Sequence, residues 1–255
     1  MTALDLLNHY YSIRLGVSLT DLRPGEVAVA TCDRRTYAEL SYGFVSVLWV
    51  MNLGERAAIS VHPAALPQVA RLAWGMKPED VLGDGFCETA CDALRAALDV
   101  SDLRAGEEDI CLYHPGNVVA VAAEGRILAV SASDKEAWVG ARQFGHAAEH
   151  PSAQRGEAFG LFRGDELIAD VITHDPAVAE MAHLVAADGI EVSERFQRRG
   201  YGRALLSYWT GEMQRRGRVC VHSASAANEA SVALARSVGY VDYARSRFVT
   251  SRARH

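Results

Sequence analysis

The sequence contains no long apolar segment. Its longest apolar run, from Phe44 to Met51, is far shorter than the ~20 residues that span a bilayer. The first residues, Met1 to Asp5, lack the basic stretch followed by an apolar run that marks a secretory signal. We therefore expect no membrane span, no membrane partner and a cytoplasmic protein.

Cysteine is scarce, and its spacing fits no metal site. Five cysteines are present, an odd number, and only one pair lies close together in the chain. No second pair and no nearby histidine completes a zinc tetrad around that pair. We expect reduced thiols, most of them buried, and no metal ligands at Cys32, Cys87, Cys91, Cys111 and Cys220.

Lysine is almost absent. Of the 26 basic residues, Lys77 and Lys135 are the two lysines, and the rest are arginines. A Walker phosphate loop ends in Gly-Lys-Ser/Thr, and no lysine follows Lys135. The sequence therefore excludes this type of nucleotide-binding loop.

The charge is distributed unevenly along the chain. The formal net charge is −6, but residues 195–255 contain 12 arginines and three acids and carry +9, so residues 1–194 carry −15. A chain of this kind often meets an anionic partner near its basic end, although a surface bias without a partner would look the same. The candidate partners are nucleic acid, a membrane and a phosphate-bearing ligand.

Residues 1–124 have the pattern of a mixed α/β lobe without a catalytic signature. The spacing of Leu4, Leu7 and Tyr11 predicts a helix that Gly16 ends. The runs that follow predict strands at Glu26–Thr31, Gly43–Met51 and Ala57–Val61, and helices at Ala64–Trp74 and Asp84–Leu98.

The signals become sharper after residue 124, where we place a domain boundary. A strand at Arg126–Val130 is followed by a helix that contains Trp138 and that Ser133-Asp134 caps. Glu157–Phe162 and Glu166–Thr173 form a hairpin around Gly164-Asp165, and Ala182–Val192 is a mostly apolar central strand.

A glycine-rich turn follows the strand at Ala182–Val192. The run Gln197-Arg-Arg-Gly-Tyr-Gly202 leads into a helical pattern, in which Leu205, Trp209 and Met213 form a core stripe. Such a turn presents unpaired backbone N–H groups, and the helix dipole adds positive potential, so the turn binds phosphate. A Cβ at Gly200 or Gly202 would hold the anion away, and three arginines add charge: Arg198, Arg199 and Arg203. A dinucleotide fingerprint is excluded because position 205 is leucine and no acid closes the next strand.

This run resembles the Gln/Arg-x-x-Gly-x-Gly/Ala motif of the GNAT superfamily of acyl-CoA-dependent N-acetyltransferases. The order of elements around it is also similar: a strand before, a helix after, a strand at Arg218–His222, then Asn228 and a helix that ends at Gly239-Tyr240. The resemblance covers about residues 125–255. It implies an α/β fold with a mixed sheet and splayed central strands, preceded by a smaller lobe of unknown role at residues 1–124.

The resemblance also implies where acetyl-CoA, the co-substrate, binds. The pyrophosphate would lie on the loop, and the pantetheine arm would pair with the backbone of the preceding strand. The cofactor-binding residues implied in this way are Ile190, Val192, Gln197, Arg198, Arg199, Gly200, Tyr201, Gly202, Arg203 and Asn228.

The catalytic groups are less well defined. The family often uses a carboxylate on this strand as the general base, so Asp188 and Glu191 are candidates on opposite faces, with Asp188 preferred. Alternatively, Asp188-Gly189 forms a bulge or a turn, and His183 and His222 are further candidates for the base. Many family members protonate the departing thiolate with a tyrosine at a position that is Ala235 here, and Tyr240 and Tyr243 are nearby candidates to replace it. Because a thiol with a pKa of about 8.5 is a tolerable leaving group, the lack of an acid would slow the reaction without preventing it.

The resemblance implies an acyltransferase that moves an acetyl group from acetyl-CoA to a primary amine by direct attack. The alternative, favoured by Ala235, is a catalytically weak acyl-CoA-binding or sensing protein. The acceptor would be a small molecule or a peptide amine, and a homodimer stays open. A nucleic-acid partner ranks last because the basic residues are not interleaved with aromatic ones.

Overall fold

The computed structural model describes residues 1–38, 44–130, 150–174, 176 and 178–252. The predicted helix around Trp138, with its cap at Ser133-Asp134, lies outside these residues, as does Gly43. The described helices are α1 (Ala3–Leu15), α2 (Leu66–Ala73), α3 (Asp84–Leu98), α4 (Pro151–Gln154), α5 (Tyr201–Arg215) and α6 (Glu229–Val238). The described strands are β1 (Val27–Thr31), β2 (Phe44–Asn52), β3 (Ala57–Val61), β4 (Arg104–Ala105), β5 (Asp109–Tyr113), β6 (Arg126–Ala129), β7 (Phe159–Arg163), β8 (Glu166–His174), β9 (Val185–Val192), β10 (Val219–Ser225) and β11 (Val241–Arg252).

The mixed α/β class predicted from the sequence is confirmed, and the chain divides into two compact units. The first unit comprises Met1–Cys111, Ser223–Glu229 and Asp242–His255; the second comprises Leu112–His222 and Ala230–Val241. The first unit thus combines the beginning of the chain with its end. The division into domains at 1–124 and 125–255 stays a prediction.

The first unit is built on strands β1, β3, β2 and β11, in that order. β1 and β3 are parallel, whereas β2 is antiparallel to both β3 and β11. Helix α1 begins with a capping box between Thr2 and Asp5 and ends at Gly16, whose φ of 72° is the left-handed conformation expected of a C-cap glycine. Residues of the strands, of α2 and of α3 form one apolar core that includes Leu48, Ile59, Val69 and Leu94.

The second unit is built on strands β6, β7, β8, β9 and β10, in that order. Neighbouring strands are antiparallel except for β9 and β10, which are parallel and joined through α5. The predicted core stripe of α5 is confirmed, because Leu205, Trp209 and Met213 are fully buried. The indole N–H of Trp209 donates to Thr173 Oγ1 of β8 at 2.8 Å, which fixes α5 on the sheet.

Four of the five cysteines are buried, as predicted. No helix within the described parts of the chain is both long enough and apolar enough to cross a membrane.

Candidate functional site

Strand β9 is paired with β8 over most of its length on one edge and with β10 over only three residues on the other. β8 pairs with it from Ala187 to Val192, but β10 pairs with it only at residues 185–187. From Asp188 onward this second edge of β9 has no strand partner within the described chain. We call residues 188–192 the open edge of β9.

The open edge exposes backbone groups in an otherwise interior strand. Val219 N–H donates to Leu184 C=O at 2.8 Å, so the even-numbered residues of β9 turn their backbone groups toward the β10 side. Ile190 and Val192 therefore present N–H and C=O groups along the open edge. Backbone N–H and C=O groups need hydrogen-bond partners when they are withdrawn from water, and an extended ligand that pairs with this edge would provide them.

The loop after β9 is fixed by its own contacts. Gln197 Nε2 donates to the C=O of Val192 at 3.1 Å, so its side chain closes the loop against the end of the open edge. The rings of Phe196 and Tyr201 are both buried and meet edge to face, with centroids 6.1 Å apart. Gln197 and Tyr201, predicted to bind the cofactor, thus hold the loop with their side chains.

The turn into α5 ends in backbone donors surrounded by positive charge. Arg198 and Gly200 have φ values of 61° and 83°, a conformation that turns the chain sharply into the helix. No described side chain caps α5, so the first N–H groups of the helix have no acceptor within it. Arg198, Arg199 and Arg203 are exposed, and none has an acidic partner among the described residues. Arg195, in contrast, is paired with Glu166.

Gly200 and Gly202 differ in their surroundings, and their predicted contact with an anion stays a prediction. A Cβ on Gly200 would meet nothing within 4 Å, and glycine is favoured there by the positive φ. A Cβ on Gly202 would lie 3.2 Å from Val192 Cγ2 and 3.4 Å from Leu234 Cδ2. Gly202 therefore lets α5 pack closely against β9 and α6. A Cβ at this position would point toward Val192 and Leu234.

Three polar side chains meet where β10 leaves β9. His222 Nδ1 lies 2.9 Å and 3.0 Å from the two carboxylate oxygens of Asp188, and His222 Nε2 lies 2.9 Å from Ser231 Oγ. The Asp188 side chain is completely buried, although its backbone on the open edge is partly accessible. Burial lowers the pKa of His222, but the charge of Asp188 and its hydrogen bond outweigh burial, so the pKa is raised.

β9 is a regular strand at Asp188 and Gly189, so the alternative of a bulge or a turn is wrong. β8 and β9 stay in register from Ala187 to Val192. Gly189 has a packing reason instead, because a Cβ there would lie 2.5 Å from Nε2 of His174.

A second pair of acids lies on the opposite face of β9. Glu191 is exposed and lies directly across from Asp170 of β8, whose side chain is buried. Burial, together with the negative charge of Glu191, raises the pKa of Asp170 to about 7. Within the described residues no other side chain bonds to Asp170, so this carboxyl group can exchange a proton near neutral pH.

The remaining candidates are His183 and Asn228. His183 is exposed and precedes β9, at the end opposite the loop. Asn228 is exposed just before α6, and its backbone N–H donates to Ser225 C=O at 2.8 Å. Their predicted roles stay predictions.

The hydroxyl groups of Tyr240 and Tyr243, the two predicted replacements for the missing tyrosine, both have partners within the protein. Tyr240 is buried, its hydroxyl lies 2.8 Å from Thr210 Oγ1, and burial raises its pKa well above the usual range. Tyr243 belongs to the first unit, where its hydroxyl donates to Asn8 Oδ1 at 3.0 Å. Ala235 is completely buried.

Asp170 and Ser231 were missed by sequence reasoning. Asp170 interrupts the apolar run Leu167-Ile-Ala-Asp-Val, and a lone acid in a buried strand is a signal that could have been used. Ser231 lies between Asn228 and Ala235 at helical spacing, but only the fold brings it to His222.

Residues 127–240 match the profile described as the acetyltransferase (GNAT) family. No curated protein is significantly similar to the chain. Among solved structures, a GNAT-family acetyltransferase from Colwellia psychrerythraea is 14% identical, with 75% of each chain covered and a TM-score of 0.48. A GCN5-related N-acetyltransferase from Sphaerobacter thermophilus is 16% identical, with 78% of this chain and 73% of that chain covered and a TM-score of 0.46. A Drosophila protein is 19% identical, with 66% of this chain covered and a TM-score of 0.45, and the present chain spans 57% of its length.

Proposed function

We propose that this chain, whose residues 127–240 form a GNAT-family acetyltransferase domain, transfers an acetyl group from acetyl-CoA to a primary amine. The observation that carries the proposal is the open edge of β9, which runs from the arginine-rich loop to Asp188 and His222. Along its length, an acyl-CoA needs an anion site for the pyrophosphate, then an extended groove for the pantetheine arm, and then proton-transfer groups near the thioester.

The loop and the open edge together fit the two ends of a CoA molecule. The N–H groups at the start of α5 and the guanidinium groups of Arg198, Arg199 and Arg203 suit a pyrophosphate. The two amide groups of the pantetheine arm can pair with Ile190 and Val192 in the manner of an added strand. From Val192 back to Asp188 an extended strand covers about 13 Å, which brings the thioester close to Asp188 and His222.

The chemistry requires an unprotonated amine at the thioester carbon. We assign the removal of the ammonium proton to the Glu191–Asp170 pair, because Asp170 has a pKa of about 7 and Glu191 is exposed. The negative charge of the pair also favours a cationic acceptor. The side chain of Asp188, the base preferred from the sequence, is completely buried and bonded to His222, so we do not assign the base to it.

The proposal is tested by measuring free thiol released from acetyl-CoA with a panel of amines. The panel contains small polyamines, peptides with free N-termini and lysine-containing peptides, and CoA binding is measured in parallel. Amine-dependent thiol release, with an acetylated amine as the second product, is the expected result. Tight CoA binding without turnover on any amine would instead support the acyl-CoA-binding or sensing protein.

The loop assignment has a matched pair of variants on α5. Arg203→Gln removes a charge at the N-terminus of the helix, and Arg215→Gln removes one at its C-terminus, where Arg215 pairs with Glu212. We expect Arg203→Gln to weaken CoA binding about tenfold, as for the loss of one charge-assisted hydrogen bond, and Arg215→Gln to leave it unchanged. If the two variants bind CoA with equal affinity, the loop is not part of the CoA-binding site.

A further inference from the structure

We propose that Ser231 protonates the sulfur of CoA as it leaves, and that His222 and Asp188 supply and position the proton. The inference rests on the proposed function, since it concerns the same thioester. Ser231 would be the catalytic residue, and His222 and Asp188 the positioning residues behind it.

A continuous series of hydrogen-bond contacts connects Asp188, His222 and Ser231. Asp188 contacts His222 Nδ1 at 2.9 Å, and His222 Nε2 contacts Ser231 Oγ at 2.9 Å. Each ring nitrogen of His222 therefore has one partner, and Asp188 holds the ring with a proton on Nδ1. A hydroxyl group can accept one hydrogen bond and donate another, so Ser231 can take a proton from Nε2 and pass its own onward.

Solvent exposure increases from Asp188 through His222 to Ser231. The Asp188 side chain is 0% exposed and that of His222 is 4% exposed, whereas Ser231 is half-buried. A buried carboxylate stabilises a protonated imidazole beside it, and the pKa of His222 is raised accordingly. The hydroxyl at the accessible end is then the group that meets a ligand.

The three groups lie where a ligand that follows the open edge would end. Asp188 and His222 are the first residues of β9 and β10 beyond their last paired residues, Ala187 and Val221. A ligand that follows the open edge from the loop ends at this point. Ser231 is the third residue of α6, so the positive end of that helix dipole favours the thiolate that forms there.

The position at which the family's usual acid would lie holds no proton donor here. The family resemblance implies a tyrosine acid at position 235, one helical turn after Ser231, but Ala235 is completely buried and has no polar group. The nearest phenol on this segment, Tyr240, is bonded to Thr210.

The proton balance is complete without a further reactant. The amine nitrogen forms a bond to the carbonyl carbon, and the carbon–sulfur bond breaks with its electron pair going to sulfur. Sulfur takes the Ser231 proton, Ser231 takes the Nε2 proton of His222, and the ring is reprotonated by water after CoA leaves. The nitrogen loses two protons: the ammonium proton goes to the Glu191–Asp170 pair and on to solvent before the attack, and after the carbon–nitrogen bond has formed the nitrogen gives a second proton to the same pair and on to solvent.

The test compares two acetyl thioesters with truncated arms, one that leaves an alkyl thiolate and one that leaves a much less basic aryl thiolate. An aryl thiolate needs no proton to leave. We expect Ser231→Ala to lower kcat for acetyl-CoA and for the alkyl thioester about 100-fold, and to lower it no more than about threefold for the aryl thioester. Ser231→Thr keeps the hydroxyl group and should recover most of the activity.

The control is Ser237→Ala on the same helix, where the exposed hydroxyl donates to Leu234 C=O. This variant should react with all three thioesters as the unmodified chain does. His222→Gln and Asp188→Asn should show the same dependence on the leaving group as Ser231→Ala, with CoA affinity unchanged, which a purely structural defect would not produce.

Three results would overturn the relay. One is an equal loss of rate for the alkyl and aryl thioesters in Ser231→Ala, and another is no loss at all. The third is an acetyl ester on Ser231 when the chain is mixed with acetyl-CoA without amine, because Ser231 would then be a nucleophile.

A binding measurement separates this inference from the proposed function. If the chain binds CoA but acetylates no amine, the proposed function fails, and the relay is judged by the ultraviolet absorbance of the bound thiolate. The relay predicts that bound CoA ionises at a different pH in Ser231→Ala than in the unmodified chain. The same titration curve in both would overturn it.

Discussion

Asp170 is the residue whose environment departs most clearly from that of an ordinary surface acid. It lies in β8, is only 8% exposed and faces Glu191 on the neighbouring strand. Burial and the charge of Glu191 disfavour its ionised form, so its pKa is about 7 instead of 3.8. A general base is most useful when its pKa lies near the working pH. Raising the pKa of a buried carboxyl group into that range lowers the stability of the folded protein at neutral pH.

Replacing Asp170 with asparagine should therefore change the pH dependence of catalysis. The base must be unprotonated, so we expect kcat/KM of the unmodified chain to rise as pH passes about 7. Asp170→Asn should lose this rise and have a lower rate above pH 7. Asp165→Asn, at the exposed turn of the same hairpin, is the control. If Asp170→Asn has the same pH profile as the unmodified chain, Asp170 is not the general base.

The same substitution should stabilise the protein at high pH. A carboxyl group with a raised pKa in the folded state stabilises that state below pH 3.8, and this contribution is lost as pH rises toward 7. Asparagine has no such loss. The free energy of unfolding of Asp170→Asn relative to the unmodified chain should grow by about 2 to 3 kcal/mol between pH 5 and pH 8. Urea unfolding at the two pH values measures it, and a constant difference would contradict the assigned pKa.

At the scale of elements, the close approach of α5 to β9 explains how the loop is held. Gly202 lies in the first turn of α5, where a Cβ would be tight against Val192 and Leu234. The N-terminus of the helix is thereby held beside the end of the open edge, and Gln197 closes the loop onto Val192. The proposed anion site and the proposed groove for the pantetheine arm thus depend on one packing contact.

Two glycine substitutions on α5 separate this contact from helix propensity. Gly202→Ala should lower the free energy of unfolding by about 1 to 3 kcal/mol through overpacking and should weaken CoA binding. Gly211→Ala adds a Cβ that meets Val118 Cγ1 at an ordinary 3.4 Å. It should be neutral or stabilise the protein by up to about 1 kcal/mol, because alanine favours helix. Urea unfolding and CoA titration of both variants provide the test, and equal stabilities would show that α5 can move away from β9.

At the scale of the whole molecule, the uneven charge of the sequence is largely compensated within each unit. In the first unit, Arg245 pairs with Glu108 and Arg247 with Asp84. In the second unit, the buried carboxylate of Glu157 lies within 3.4 Å of Arg216 and Arg218. The cations that stay without an acidic partner on the loop are Arg198, Arg199 and Arg203.

This distribution predicts a salt dependence that is confined to one ligand site. Raising the ionic strength from 0.05 M to 0.5 M should weaken CoA binding, because it screens charges at exposed guanidinium groups. The dependence should be smaller in Arg203→Gln and unchanged in Arg215→Gln. Titration calorimetry at the two salt concentrations measures it, and a dissociation constant that does not respond to salt would place the phosphates elsewhere.

The sequence by itself determined the order of elements around the site. The alternation and helical spacing of apolar residues predicted β9, α5, β10 and α6 to within a few residues, and the glycines marked the turn between β9 and α5. These features depend on neighbours close in the chain, which is why local patterns reveal them. The family resemblance rests on the same run of residues, and residues 127–240 bear it out.

Only the tertiary structure decided which side chains lie together. Asp188, His222 and Ser231 come from a strand, the next strand and a helix, and the site where they meet exists because β10 leaves β9 after three paired residues. The pKa of Asp170 depends on burial and on a carboxylate 21 positions away in the chain. Burial, strand register and charge proximity are properties of the packed chain, so the sequence supplied the candidates and the fold selected among them.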